Sequence, residues 1–172
     1  MAAALLETPR LALRRLWEDD APFMVELLND PSFIRNIGDR GVRTIDEARV
    51  YIAQGPMASY ARFGFGLYLV ALKEPWTSIG ICGILKRDQL PDPDIGFAFL
   101  PAYWSQGYAR EAASAVKAYA RDTLALPRLL AIVSPSNDSS IRLIERLGFV
   151  FTSRTRLTAE ADEVKLYACA LP

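Results

Sequence analysis

Residues 94–120 read DIGFAFLPAYWSQGYAREAASAVKAYA, and this segment decides the fold. An apolar strand pattern, a short loop and a strong helical pattern follow one another, and the helix begins directly after Gly107. Glycine costs a helix about 1 kcal/mol relative to alanine, so its position there indicates a local requirement. The first-turn N–H groups and the helix dipole favour an anion, which a residue without a Cβ allows to approach closely. The segment therefore predicts a phosphate site at Gly107, with a simple turn residue as the alternative.

A second strand-to-helix junction lies in SPSNDSSIRLIERLGF, residues 134–149. Asn137 is expected to cap this helix, Ser140 to lie in its first turn and Gly148 to end it. One crossover helix separates the two junctions. Both helix N-termini are therefore expected at the same edge of the sheet, where α/β units bind their ligands.

Hydrophobic periodicity along the whole chain predicts the element order β α α β β β α β α β β. Three strands are predicted at residues 64–73, 77–87 and 94–100, and the short connections between them favour antiparallel pairing. Thr44 and Glu47 form a capping-box pattern at the start of one helix, which Gly55 and Pro56 are expected to disturb. The pattern predicts an α+β fold, a mixed sheet with helices on its faces. No linker or repeat divides the chain, so one domain is expected over residues 1–172.

Composition excludes several classes of function. The 172 residues carry 20 basic and 20 acidic side chains, and this balance argues against the broad basic face of a nucleic-acid-binding protein. The absence of histidine excludes serine–histidine triads and histidine-containing zinc sites, and no metal is expected. Cys82 and Cys169 are interpreted as reduced core thiols, with one isolated disulfide as the alternative. No apolar run approaches the roughly 20 residues of a membrane span, and the N-terminus is too short for a signal peptide, so a cytoplasmic location is expected.

Several segments together resemble one family, the GNAT N-acetyltransferases, and within it the Rim-type branch that acetylates ribosomal-protein N-termini. The segments are ETPRLALRRLWEDD (7–20), DIGFAFLPAYW (94–104), WSQGYAREA (104–112) and SPSNDSSIRLIERLGF (134–149). The resemblance covers about residues 7 to 170. It implies the GNAT fold, a mixed and mostly antiparallel sheet of about seven strands with a splayed central pair and about four helices.

The same resemblance implies acetyl-CoA as the acetyl donor and an amine as the acceptor. The pantetheine arm is expected in the gap between the splayed strands, paired with backbone near Phe99 and Leu100, and Asn137 is expected to hydrogen-bond it. The loop is expected to bind the pyrophosphate, and Arg146 either approaches the adenosine or is a solvated surface residue. The residues expected to contact the donor are Phe99, Leu100, Gln106, Gly107, Tyr108, Ala109, Arg110, Asn137 and Ser140.

The catalytic groups are predicted partly by position in the family pattern. Ser140 is the candidate donor of a proton to the leaving thiolate, and Asp94 is the candidate general base, acting through a water. Their alternatives are a first-turn serine and a turn residue, and Glu163 and Tyr167 on the last strands are further candidates for the base. An N–H near Leu100 is expected to polarise the thioester carbonyl. Two positions depart from the family pattern: Trp104 stands where Gln or Arg is usual, and Ile144 stands where a tyrosine acid is common.

The acceptor pocket is expected around Phe33, Arg35, Asn36 and Tyr60, although these residues specify no particular amine. A protein N-terminus, an amino acid, a polyamine and an antibiotic amine all remain open as acceptors, as do a monomer and a homodimer. The main alternative function is a non-catalytic acyl-CoA-binding module of the same fold. A nucleotide-binding domain is a third reading, although the chain lacks the Lys-Ser/Thr that follows the glycine of a P-loop.

Overall fold

The computed structural model describes residues 3–172, which form one sheet of eight strands with six α-helices around it. The strands are β1 (Leu6–Glu7), β2 (Leu11–Arg15), β3 (Leu67–Lys73), β4 (Trp76–Leu85), β5 (Asp94–Phe99), β6 (Arg128–Val133), β7 (Val150–Thr155) and β8 (Val164–Ala170). The helices are α1 (Ala21–Asn29), α2 (Pro31–Asn36), α3 (Ile45–Ile52), α4 (Ala58–Phe63), α5 (Tyr108–Asp122) and α6 (Asp138–Arg146).

The spatial order of the strands is β1-β2-β3-β4-β5-β6-β8-β7. Every neighbouring pair is antiparallel except β5 and β6, which are parallel. In that parallel pair only Asp94 and Leu130 are in register, and the two strands diverge beyond them. The mixed sheet with a splayed central pair is therefore confirmed. The split between β5 and β6 opens toward the C-terminal ends of the two strands.

Helices cover both faces of the sheet, and each face has its own buried cluster. On one face α5 packs against β4 and β5 through Ala112, Ala113, Val116 and Ala120, which are fully buried. These small side chains let the helix lie close to the strands. On the other face α1 and α3 pack over Leu69 and Ile81. The strand ends at the split are thus held between two cores.

The helix boundaries follow the local signals in the sequence. Thr44 Oγ1 accepts a hydrogen bond from the Glu47 N–H at 3.1 Å, and the Glu47 carboxylate accepts one from the Thr44 N–H. The expected capping box is therefore present. Gly148 follows α6 with a φ of +92°, the left-handed conformation typical of a helix end. A π-helical segment, Ala53–Met57, separates α3 from α4 where Gly55 and Pro56 were expected to disturb the helix. The helix count exceeds the expected four because Pro31 begins α2 as a separate helix and this segment divides another.

Candidate functional site

A cavity of about 450 Å³ lies at the open end of the split between β5 and β6. Its walls come from α2, the end of β5, the loop before α5, the first turn of α5 and one face of α6 along its length. Both strand-to-helix junctions identified in the sequence therefore meet at one place. The predicted residues that line it are Phe33, Asn36, Phe99, Gly107, Tyr108, Ala109, Arg110, Asn137, Ser140 and Arg146.

The N-terminus of α5 forms one wall. Gly107 is its N-cap with φ +83°, and Ser105 just before it also has a positive φ of 58°. The first intrahelical bond runs from the Glu111 N–H to the Gly107 carbonyl at 3.0 Å. The N–H groups of residues 108–110 precede it and belong to the unpaired donors of a helix start. The glycine is thus required by its left-handed backbone, a reason the sequence pattern did not reveal.

Gln106 is turned away from this cavity. Its side-chain amide donates to the Ala102 carbonyl at 3.1 Å, and its own carbonyl accepts from the Arg10 guanidinium at 2.9 Å. Gln106 does not line the cavity. Gln106 therefore belongs to the loop, but its side chain does not face the place where an anion is predicted to bind.

The N-terminus of α6 forms the facing wall. Asn137 Oδ1 accepts from the Ser140 N–H at 3.3 Å and from the Ser139 hydroxyl at 3.2 Å, so Asn137 is the helix cap. Its side-chain NH₂ and the Ser140 hydroxyl have no hydrogen-bond partner among residues 3–172. Both residues line the cavity, which leaves these two polar groups available to a ligand.

The end of β5 presents its backbone to the split in a defined register. The Leu100 N–H donates to the Ile79 carbonyl on β4 at 3.0 Å. Backbone groups alternate in direction along an antiparallel ladder, so the groups of Phe97 and Phe99 point away from β4 and toward the split. The Leu100 N–H is thus bound to β4, and Leu100 does not line the cavity. Of the N–H groups near Leu100, where a donor to the carbonyl is predicted, the one that faces the split belongs to Phe99.

Trp104 closes the end of β5, a role that sequence reasoning missed. Its indole N–H donates to the Phe99 carbonyl at 2.8 Å, and its ring lines the cavity. The preference of a partly buried indole N–H for an acceptor was the one available signal. Trp104 thereby occupies one of the strand-end groups that face the split.

Asp94 lies apart from the cavity. Its side chain is 1% exposed and contacts the Arg87 guanidinium, whose Nε is 3.0 and 3.2 Å from the two carboxylate oxygens. Burial raises the pKa of Asp94 to about 6, although Arg87 opposes the shift. Asp94 is the residue at which β5 is still paired with β6, so it marks the closed end of the split. This placement does not bring the predicted base together with Ser140.

The predicted acceptor residues divide into two sets. Phe33 and Asn36 of α2 line the cavity, whereas Arg35 and Tyr60 do not. Arg35 is exposed. The Tyr60 hydroxyl is buried, where it accepts from the Leu16 N–H at 3.0 Å and donates to the Leu67 carbonyl. Burial raises the pKa of Tyr60 to about 12, so this side chain is a structural tie within the core.

Every charged residue that lines the cavity is an arginine: Arg110 on α5, and Arg142 and Arg146 on α6. Arg142 was missed in the sequence, although residues four apart share one face of a helix. The guanidinium groups and the two helix N-termini together favour a ligand with several negative charges. Within the part of the chain that the structure describes, no cluster of His, Cys, Asp or Glu is able to hold a metal ion, and no helix is both long and apolar enough to cross a membrane.

Comparison with known proteins gives one consistent result. Residues 10–150 match the model of the acetyltransferase (GNAT) domain. The uncharacterized N-acetyltransferase YoaA of Bacillus subtilis is 28% identical over 148 residues, which are 84% of this chain and 82% of that protein. A solved acetyltransferase from Agrobacterium tumefaciens has a TM-score of 0.79 at 28% identity, over 98% of this chain and 95% of the other. The ribosomal L7/L12 α-N-protein acetyltransferase RimL, solved with coenzyme A, shares the fold with a TM-score of 0.83 at 18% identity, over 98% of each chain.

Proposed function

Because the chain belongs to the GNAT acetyltransferase family, we propose that it moves an acetyl group from acetyl-CoA to a primary amine by direct attack of the amine on the thioester. The acceptor is a protein N-terminal α-amine or a small-molecule amine. One observation carries the proposal: the N-termini of α5 and α6 both end on the cavity at the open end of the β5/β6 split. The comparisons support an N-acetyltransferase, and coenzyme A is present in the solved RimL complex.

The chemistry of the cavity fits this donor. The N–H groups of residues 108–110 and the Arg110 side chain are suited to a pyrophosphate. The backbone of Phe97 and Phe99 is suited to an extended arm that carries amide groups, and the free Asn137 amide adds a donor beside it. Arg142 and Arg146 supply further positive charge on the α6 wall of the cavity. No metal is needed for any of these contacts.

The reaction makes three demands, and the chain supplies a candidate group for two of them. The carbonyl under attack needs a hydrogen-bond donor, which we assign to the Phe99 N–H. As the C–N bond forms and the C–S bond breaks, the leaving sulfur needs a proton. We assign its delivery to the Ser140 hydroxyl, which lines the cavity without a partner in residues 3–172 and regains a proton from the amine nitrogen. The amine must also be neutral, and the placement of Asp94 outside the cavity argues against that carboxylate as its base.

The missing base bears on the choice of acceptor. A lysine amine has a pKa near ~10.4, whereas an α-amine has a pKa near ~8, so about a tenth of an α-amine is already neutral at pH 7. An α-amine therefore needs less help than a lysine. This difference favours a peptide N-terminus or another weakly basic amine as the acceptor.

The test is release of free coenzyme A thiol from acetyl-CoA against a panel of N-terminal peptides, amino acids, polyamines and aminoglycosides. Turnover is expected with one class of amine. Ser140→Ala is expected to lower kcat by about 100-fold or more, as for loss of a general acid. The matched control is Ser139→Ala, which removes a neighbouring hydroxyl on the cavity wall and is expected to change kcat by less than about 3-fold. Equal kcat values for Ser140→Ala and wild type would remove Ser140 from the mechanism.

Calorimetry with coenzyme A separates the alternatives. Binding without turnover against any amine would favour the non-catalytic acyl-CoA-binding module. Absence of binding would overturn the proposal itself.

A further inference from the structure

The turn between β1 and β2 contacts the far side of the loop that precedes α5. Thr8 and Leu11 close this turn, since the Thr8 N–H donates to the Leu11 carbonyl at 2.9 Å and the Leu11 N–H donates to Thr8 Oγ1 at 3.0 Å. Pro9 occupies the second position, where its fixed φ suits a β-turn. The ETPRL stretch thus builds a rigid turn that holds the Thr8 and Arg10 side chains toward α5.

Glu111, in the first turn of α5, receives three hydrogen bonds from this turn. Its Oε1 accepts from the Thr8 hydroxyl at 2.5 Å and from the Arg10 N–H at 3.0 Å, and its Oε2 accepts from Arg10 Nε at 2.7 Å. The Glu111 side chain is only 17% exposed. An isolated surface ion pair contributes little, but here one carboxylate is bound by a hydroxyl, a backbone N–H and a guanidinium together.

Arg10 also contacts the loop itself. One of its terminal nitrogens donates to the Gln106 carbonyl at 2.9 Å, and its guanidinium carbon lies 4.4 Å from the centre of the Tyr108 ring. Its other terminal nitrogen is 3.2 Å from the point where a Cβ on Gly107 would lie. Arg10 therefore touches residues 106, 107, 108 and 111 in turn. It does so from behind, because Arg10 does not line the cavity.

Electrostatics explains why Arg10 pairs with Glu111 at the start of α5. Glu111 is the acidic residue in the first turn of α5, where its negative charge would oppose an anion bound at the helix start. Burial works against ionisation of Glu111, but the hydrogen bonds from Thr8 and Arg10 outweigh it and lower its pKa. The positive charge of Arg10 offsets the charge of Glu111, and the same guanidinium binds both Glu111 and the Gln106 carbonyl of the loop. The carboxylate thereby helps to fix the loop without weakening the anion site.

We propose that Thr8, Arg10 and Glu111 are positioning residues that hold the loop 106–110 in its anion-binding conformation before the donor binds. The inference rests on the proposed function, because the ligand so positioned is the pyrophosphate of acetyl-CoA. Preorganisation of this kind improves affinity by avoiding the cost of ordering the loop on binding. Loss of the contacts among Thr8, Arg10 and Glu111 therefore weakens binding of the donor and leaves the reaction of the bound donor nearly unchanged.

The experiment compares Arg10→Ala and Arg10→Lys with wild type, by calorimetry with coenzyme A and by steady-state kinetics. Arg10→Ala is expected to raise the Kd for coenzyme A and the KM for acetyl-CoA by about 10-fold, with kcat at saturation within about 2-fold. Arg10→Lys is expected to rescue part of this loss, since one ammonium replaces a fork that reaches both Glu111 and the Gln106 carbonyl. Arg154→Ala is the matched control. It breaks a more exposed arginine–glutamate pair in another part of the sheet, in which Arg154 is 2.9 Å from Glu163 in the β7–β8 hairpin, and should leave Kd unchanged.

Two results would overturn the inference. One is a folded Arg10→Ala protein with the wild-type Kd and KM. The other is a rise in Kd that Arg154→Ala shares, which would indicate general destabilisation. If Arg10→Ala does not fold, Thr8→Val replaces it, because this change removes the hydroxyl that binds Glu111 while the charges of Arg10 and Glu111 both stay, and a wild-type Kd in that variant equally refutes the inference. Failure of wild type to bind coenzyme A would refute the proposed function instead, so the two failures are distinct.

Discussion

Replacement of Gly107 by alanine measures how much the donor site depends on one left-handed residue. The φ of Gly107 is +83°, and a residue with a Cβ pays roughly 1–2 kcal/mol for that conformation. A Cβ there would meet only the end of the Arg10 side chain at 3.2 Å, which is flexible enough to move. The backbone cost therefore dominates, and steric overlap adds little to it.

The cost is divided between stability and binding according to what the loop does. If the loop keeps its conformation in the free protein, the whole cost lowers the free energy of unfolding. If the loop relaxes, the cost is deferred to the donor complex, where 1–2 kcal/mol weakens affinity by about 5- to 30-fold. The two losses should add up to the same total in either case. Because the contacts of Arg10 with Gln106 and Glu111 hold this loop in the free protein, we expect most of the loss in the free energy of unfolding.

Gly64→Ala is the matched control. Gly64 ends α4 with a φ of +79°, and a Cβ there has nothing within 4 Å. This variant should lose about 1–2 kcal/mol of unfolding free energy and bind coenzyme A normally. Urea denaturation measures the stability of both variants, and calorimetry measures their affinity for coenzyme A. Wild-type stability together with wild-type affinity in Gly107→Ala would refute the argument, as would an equal loss of affinity in Gly64→Ala.

Two further predictions concern the two ends of β5. Trp104→Phe keeps the ring but removes the indole N–H that binds the Phe99 carbonyl, so the KM for acetyl-CoA should rise by about 3- to 10-fold, for a hydrogen bond worth about 1 kcal/mol. Steady-state kinetics test this, and an unchanged KM would show that the bond does not shape the strand end. Asp94→Asn tests the pKa of about 6 that burial gives Asp94 in the folded protein, raised from 3.8. A carboxyl group with a raised pKa stabilises the fold while protonated and loses that contribution as the pH rises through 6, so wild type should lose about 2–3 kcal/mol relative to the variant between pH 4 and pH 7. Parallel stability profiles for the two proteins from urea denaturation would contradict the buried state of this carboxyl group.

Local sequence signals were enough for much of the fold. The capping box at Thr44 and the disturbance at Gly55 and Pro56 depend on residues within one or two turns, so a single segment contains the whole signal. The two-residue strand β1 was not predicted. It exists only because Leu6 and Glu7 pair with residues of β2, and two residues carry no period of their own. The π-helical form of the disturbed segment was likewise beyond a periodicity argument.

The candidate site divides along the same line. Asn137 and Gly107 were found because a cap and a helix start are local features. Tyr60 and Asp94 were placed with the site by analogy, but their surroundings depend on distant segments: the Tyr60 hydroxyl binds backbone of residues 16 and 67, and Asp94 meets Arg87 and the first paired residue of β6. The role of Arg10 was invisible for the same reason, since its partner Glu111 is 101 positions away along the backbone.

The difference between Phe99 and Leu100 shows why the register of the strand matters here. Successive residues of a strand direct their backbone groups to opposite neighbours, so the sequence identifies the strand without identifying which alternate set faces the split. The bond from the Leu100 N–H to the Ile79 carbonyl decides this, because it assigns the even-numbered set to β4. Trp104 then occupies the Phe99 carbonyl, which leaves the Phe99 N–H and the groups of Phe97 for a ligand. We therefore expect an extended donor arm bound here to pair with this alternate set of backbone groups, the N–H of Phe99 and the groups of Phe97, and not with those of Leu100.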